Sequence, residues 1–212
     1  MNIRFIFFDL GNVLLRFSIQ RLAKQGAELT GCTEDEVLHA VFSNDMERKL
    51  ECGEISEQEF YESFCNVIGK QPEPSQLANA LNDIFEVIEE IQPFLKKLTA
   101  ADFPRGILSN TGPGHWNHCI KKYPFLLQHF PKNHVLSFRA GAMKPDRKIY
   151  ETALKTALQN IPDIKPKEIL FIDDLEPNVA GAKDFGFDSF QFVSEQQLFQ
   201  ELESRAFQEL AI

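Results

Sequence analysis

Two hydrophobic periods divide the chain into a short first segment, a long middle and an alternating remainder. Residues 3–8, IRFIFF, are almost all apolar and β-branched or aromatic, which predicts a strand buried on both faces, as in the middle of a parallel sheet. The run stops at Asp9, and Gly11-Asn12 supplies a chain reversal. From Phe17 to about Glu90 the pattern is helical. Ile19, Leu22, Ala23 and Gly26 share one face, and Thr33 with Glu36 forms a capping box that opens EDEVLHAVF. Ser56 with Glu59 forms a second box ahead of Phe60, Phe64, Val67 and Ile68. Leu77, Leu81, Ile84, Phe85 and Ile88 then mark one more amphipathic helix, set off by GKQPEPS at 69–75.

Beyond Gln92 strands and helices alternate, the mark of βαβ construction. A helix over 93–101 leads to a strand at 105–108 that ends in Ser109-Asn110-Thr111. A long connection carrying His115, Trp116 and His118 reaches a short strand at 134–138, followed by Gly141-Ala142-Met143-Lys144-Pro145 and a helix over 146–158. A buried strand at 168–172 ends in Asp173-Asp174, the next helix closes at Gly186, and a strand at 189–193 precedes a helix opened by Ser194 with Gln197. The fold class is therefore α/β: a Rossmann-like three-layer core with a parallel sheet, interrupted after its first strand by an all-helical insertion. The expected core comprises 1–16 and 90–212 and the insertion 17–89, with hinges at 15–17 and 89–93.

Composition narrows the function. The 212 residues carry a formal charge of -9, with pI ≈ 5.1. That excludes nucleic acid and anionic membrane surfaces as partners, because both need basic patches. Phosphorylated small molecules remain open, since one lysine, a metal and oriented N–H groups make a locally positive pocket. No apolar run approaches the roughly 18 residues of a membrane span, and the first residues enter a strand without the pattern of a signal peptide, so a cytoplasmic protein is expected. Cys32, Cys52, Cys65 and Cys119 form no C-x-x-C pair and lack zinc-site spacing, which suggests reduced thiols. Nothing in the pattern fixes an oligomeric state.

Four strand ends hold Asp9, Ser109 with Asn110, Lys144, and Asp173-Asp174. Singly, each has a structural alternative as a turn, a helix cap or a solvated loop residue. Together they are what a carboxylate nucleophile for phosphoryl transfer needs. Phosphate repels an anionic attacker, so a divalent cation held by hard oxygen ligands must lie between them, and Asp9 with the Asp173-Asp174 pair can supply those ligands. Lys144 would offset the remaining negative charge, while the Ser109 hydroxyl and neighbouring N–H groups would hold phosphoryl oxygens.

FFDLGNVLL, ILSNTGPGHW, GAMKPDRKIY and LFIDDLEPNVAGAKDFG resemble the four motifs of the haloacid-dehalogenase-like (HAD) hydrolases, in the subfamily with a helical cap between the first and second motifs. ECGEISEQEF fits the same subfamily, and the FDLGNV and SNT-x-x-x-H patterns resemble those of bacterial alpha-glucose-1-phosphatases. The resemblance implies a magnesium-dependent phosphatase of a small phosphorylated metabolite, a sugar phosphate among the candidates. By it Asp9 is the nucleophile that becomes an aspartyl-phosphate, Ser109 and Asn110 bind phosphate, and Lys144 stabilises charge. Asp9, Asp174 and Asp173 would ligate magnesium, and Gly11 would do so through its carbonyl.

Gly11 departs from the common pattern. Most phosphatases of this superfamily carry there a second aspartate that protonates the leaving group. Glycine keeps the carbonyl but not the acid, a group typically worth about a hundredfold to ten-thousandfold in rate. Turnover should then favour acidic leaving groups, unless His115 or a residue of the insertion donates the proton. Two other readings stand beside this one. A metal-free haloacid dehalogenase would use Asp9 against carbon, and the acidic pair Asp173-Asp174 argues against it. A catalytically degenerate ligand- or partner-binding protein has Gly11 as its support.

Overall fold

In the computed structural model, which describes residues 3–205, the first apolar run forms Phe5–Phe8 (β1), buried throughout. The chain turns at Asn12, whose backbone lies in the left-handed region at φ 52°, and leaves the core along Leu15–Phe17 (β2). Ile19–Thr30 (α1), Glu34–Phe42 (α2), Met46–Glu51 (α3), Glu57–Ile68 (α4) and Pro74–Asn82 (α5) follow, and Phe85–Val87 (β3) returns antiparallel to β2. Both capping boxes form, at Thr33 with Glu36 and at Ser56 with Glu59. The chain continues through Gln92–Ala100 (α6), Arg105–Ser109 (β4), Pro113–Lys122 (α7), Phe125–His129 (α8), His134–Leu136 (β5), Ser137–Ala140 (α9) and Arg147–Asn160 (α10). Ile169–Asp173 (β6), Glu176–Phe185 (α11), Asp188–Gln191 (β7) and Glu195–Ser204 (α12) complete it. Gly186 caps α11 in the left-handed conformation, as expected. The ends of the expected core, 1–2 and 206–212, lie outside the described residues.

Five strands form one parallel sheet in the order β5-β4-β1-β6-β7. Alternation along β1 explains the layers. Phe5 and Phe7 point to one side, where Ile149, Tyr150 and Ala153 of α10 cover them. Ile6 and Phe8 point to the other, under Phe94 of α6 and Phe130, whose ring centroids lie 6.1 and 5.5 Å from that of Phe8. The second core continues into the insertion through Val37, Phe64, Leu77 and Leu81, so one body of apolar contacts joins the sheet to the helices above it. Among the described residues no helix is long and apolar enough to cross a membrane.

Three elements differ from the sequence expectation. The strand expected at 134–138 ends at Leu136, and Ser137–Ala140 form α9, so Lys144 follows a short helix rather than a strand end. The helix expected to include Ile84, Phe85 and Ile88 ends at Asn82, and Phe85 enters β3, opposite Phe17. The apolar spacing there fits a helix, but the two crossings between core and insertion lie side by side and satisfy their backbone groups as a ribbon. His115, Trp116 and His118 sit on helix α7 rather than in an extended connection. Pro113 and Gly114 look like breakers, yet proline is well suited to the first helical position, where its missing N–H costs nothing.

Candidate active site

The sheet places the site. The chain runs outward from β1 through β4 to β5, then crosses to β6 on the other flank of β1, so the strand order reverses beside β1. A crevice opens at the carboxyl ends of strands at such a reversal. Asp9 follows β1, with its N–H donating to Ile172 O at 2.9 Å; Ser109 ends β4, and Asp173 ends β6. Lys144, from the loop after α9, reaches across. Its Nζ lies 2.8 Å from Asp9 Oδ1 and 2.6 Å from Asp173 Oδ2, and all three residues are buried.

Hydrogen bonds distinguish the two carboxylates of the acidic pair. Asp173 Oδ1 accepts from Leu175 N–H at 2.8 Å and Asn178 Nδ2 at 2.9 Å, while Oδ2 accepts from Lys144 and, at 3.2 Å, from Asn178. Both Asp173 oxygens are therefore occupied, Oδ2 by Lys144 and Oδ1 by the groups that fix the carboxylate in place. Asp174 is only half-buried and takes a side-chain hydrogen bond from Asn12 Nδ2 at 3.0 Å. Gly11 itself lies outside the left-handed region, so its smallness answers a different need: a Cβ there would stand 3.2 Å from the ring of Phe17.

The Lys144 loop is held from β4. Asn110 Nδ2 donates to Lys144 O at 3.0 Å, and Lys144 N–H donates to Asn110 Oδ1 at 2.7 Å. The side-chain amide of Asn110 is thus engaged in positioning Lys144, which leaves the Ser109 hydroxyl, weakly bonded to Asn110 O at 3.3 Å, as the small donor at this strand end. Thr111 is pinned in turn by Ser137, whose Oγ accepts from Thr111 N–H at 2.9 Å and donates to Thr111 O at 3.1 Å.

Charge is unbalanced in this cluster. Carboxylate oxygens of Asp9, Asp173 and Asp174 lie within 4.8 Å of one another, against a single ammonium. Burial pushes the Asp9 carboxyl up to about 7, with Lys144 opposing and Asp173 and Asp174 adding to the rise. Burial raises Asp174 as well. For Lys144 burial works to lower the pKa, but the carboxylates of Asp9 and Asp173 outweigh it and hold it above the ordinary lysine value, so the ammonium is charged. Three hard oxygen donors with surplus negative charge fit a divalent cation of the magnesium type.

A cavity of about 440 Å³ is lined from the core by Gly11, Ser109 and Asn110, neighbours in the chain of the cluster residues, and from the insertion by Glu47, Glu51 and Leu81 among others. Most of its wall is apolar. His115 lines it too, but its Nε2 lies 3.3 Å from Leu81 O, and burial pulls its pKa down to about 4, so the ring is neutral and a poor proton donor at pH 7. Trp116 is a buried anchor stacked near His134, and His118 Nε2 lies 3.3 Å from Asp83 Oδ1. Arg16 is exposed on β2.

Asn12, Asn178 and Ser137 escaped the sequence reading, as did Glu51. Asn12 and Ser137 act on residues distant in the chain, Asn178 on Asp173 only five residues before it, and a lone Asn or Ser in a turn or helix carries no local signal that separates it from a cap.

A haloacid dehalogenase-like hydrolase family model matches residues 3–186. A D-ribitol-5-phosphate phosphatase of Bacteroides thetaiotaomicron is 25% identical over 89% of this chain and 91% of its own. Among solved structures, a HAD-like family hydrolase of Porphyromonas gingivalis is 26% identical, with TM-score 0.77 over 96% of this chain and 98% of that one. A HAD-family enzyme of B. thetaiotaomicron, solved with magnesium and inorganic phosphate, has TM-score 0.76 at 24% identity, covering 90% of this chain and 94% of that one.

Proposed function

The chain belongs to the haloacid dehalogenase-like hydrolase family, and on that premise we propose that it is a magnesium-dependent phosphatase of a small phosphorylated metabolite, acting through an aspartyl-phosphate on Asp9. The observation that carries the reading is the placement of Asp9. One of its oxygens is held by Lys144 and Leu10 N–H, and the carboxylate stands in a cluster of three acids, while Leu10 and Gly11 next to it in the chain line a cavity large enough for a small organic phosphate. The names of the relatives support it: one is a sugar-alcohol phosphatase and another holds magnesium with phosphate.

The residues take these roles. Asp9, Asp174 and the Gly11 carbonyl would hold magnesium, with Asp173 beside them chiefly fixing Lys144. When bound, the metal would supply the positive charge that lets a carboxylate approach an anionic phosphoryl group. An Asp9 carboxylate oxygen attacks phosphorus and the bond to the leaving oxygen breaks; water then attacks the same phosphorus and releases phosphate and free Asp9. Lys144 offsets the charge spread over the phosphoryl oxygens, and Ser109 donates to one of them. Residues 17–89 act as a cap over a core of 1–16 and 90–212. The β2–β3 ribbon is their hinge, and the apolar wall of the cavity excludes bulk water during transfer. The metal-free dehalogenase reading has no use for the acid cluster.

Release of inorganic phosphate from a panel of polyol, sugar, alkyl and aryl phosphates, with and without magnesium, is the test. Magnesium-dependent release from at least one member is expected. No release from any, with binding of phosphate or a phosphorylated ligand retained, would select the degenerate reading.

A further inference from the structure

We infer that Glu51, carried by helix α3 of the insertion, is the general acid and base that replaces the carboxyl group missing at Gly11. This rests on the phosphatase reading above and assigns its proton transfers.

Geometry carries the inference. Glu51 lines the same cavity as Gly11, Ser109 and Asn110, so a leaving group seated there lies between the phosphoryl site and the Glu51 carboxyl. One close contact fixes the end of α3 against the core: a Cβ on Gly53 would stand 2.3 Å from Phe138 O, so only glycine allows that approach, while the Leu50 side chain lies at ordinary van der Waals distance, 3.6 Å, from where a Cβ on Gly112, in the loop after β4, would stand. Glu51 lies in the chain between Leu50 and Gly53, and the charges of Lys144 and Asp9 both act on it.

Its own environment is that of a reactive group rather than a structural one. Among the described residues the Glu51 side chain forms no hydrogen bond and no ion pair, whereas Glu36, Glu59 and Glu73 are all engaged in caps. It is half-buried and lines the cavity. Burial, with Glu47 on the same helix and Asp9 below adding and Lys144 opposing, pushes it up to about 8, so the proton is on the carboxyl at neutral pH. Other groups in the cavity suit the task less. His115 is neutral with Nε2 turned to Leu81, Glu57 is exposed, and Glu47, one turn earlier on α3, is shifted by burial alone, without the charges of Lys144 and Asp9 that act on Glu51.

The proton balance closes. As Asp9 bonds to phosphorus and the ester oxygen departs, that oxygen takes the proton of Glu51, giving a neutral alcohol and a Glu51 carboxylate. In the second step water bonds to phosphorus, its proton passes to Glu51, and the phosphorus–Asp9 bond breaks. Glu51 ends protonated, as it began.

The two steps make opposite demands on an aryl substrate, whose leaving group needs little acid although hydrolysis of the intermediate still needs a base. With magnesium present, Glu51→Gln should give a burst of one p-nitrophenol per site from p-nitrophenyl phosphate, then a steady state slowed by about a hundredfold. On an alkyl phosphate it should lose about a hundredfold or more in kcat/KM with no burst. Glu51→Ala should behave alike, and a melting curve establishes that both variants fold. Retention of alkyl phosphate turnover within threefold of wild type would overturn the assignment, as would equal losses on both substrates without a burst. If the wild-type protein itself releases no phosphate, the phosphatase reading fails and the assignment with it.

Discussion

Lys144 Nζ stands 2.6 Å from Asp173 Oδ2, and neither side chain is accessible to solvent. The pair is the point at which stability and catalysis meet in this molecule. Removing one partner of such a pair leaves an uncompensated buried charge, at a cost of about 3–5 kcal/mol. Lys144→Ala should therefore lower the unfolding free energy by several kcal/mol in a denaturant titration and lower kcat/KM by far more than the tenfold that corresponds to about 1.4 kcal/mol. A change of less than tenfold in kcat/KM would remove Lys144 from the catalytic assignment.

Asp9→Asn keeps the shape of the side chain and removes the attacking oxygen. Turnover should fall below about a thousandth of wild type, the scale of a lost nucleophile, while the melting curve remains cooperative. Higher residual activity in a preparation free of wild-type enzyme would contradict the aspartyl-phosphate.

Magnesium should raise the melting temperature, because it relieves the repulsion among Asp9, Asp173 and Asp174 and binds the folded state preferentially. At a hundred times the dissociation constant the gain is about 2.7 kcal/mol. Asp174→Asn should shrink the shift, since that carboxylate is the one of the acidic pair not tied to Lys144. Calorimetry that finds no binding at millimolar magnesium would leave the phosphatase reading without its cofactor.

Glu51 gives a pH signature independent of turnover. Its pKa is raised in the fold to about 8, from an unfolded value of about 4.3. The favourable contribution of the protonated form is fully present below the unfolded value and is lost as pH rises through the folded one. Between pH 5 and 9 the wild type should lose stability relative to Glu51→Gln, whose amide does not titrate. Parallel stability curves for the two proteins across that range would show that Glu51 is ionised throughout.

Gly11→Asp should restore a carboxyl group at the usual position. The backbone there needs no left-handed conformation, and the obstacle is the Phe17 ring 3.2–3.3 Å from the new Cβ. Phe17 is 39% exposed, so the ring can move outward. In a Glu51→Gln background the substitution should recover alkyl phosphate turnover by tenfold or more, and Phe17→Ala should help it do so. Failure of the double and triple variants to exceed Glu51→Gln alone would show that a carboxyl at position 11 cannot serve this site.

Elements with local signals were legible along the chain. The buried run before Asp9, the boxes at Thr33 and Ser56, the glycine cap at Gly186 and the placing of Asp9, Ser109 and Asp173-Asp174 at strand ends all follow from neighbours within a few residues, whereas Lys144 follows the short helix α9 that the strand expected at 134–138 concealed. How these residues combine depends on contacts between distant segments. Phe85 joined a strand against its helical spacing because Phe17 lay opposite it with backbone groups to satisfy. The Asn110 amide turned to Lys144, and Asn178 and Lys144 together filled the oxygens of Asp173, leaving Asp174 the more open carboxylate. Glu51 has no motif around it at all. What sets it apart is the low-dielectric cavity shared with Gly11 and Ser109 and the nearby charges of Lys144 and Asp9, and these depend on distance in space, which the order of residues does not carry.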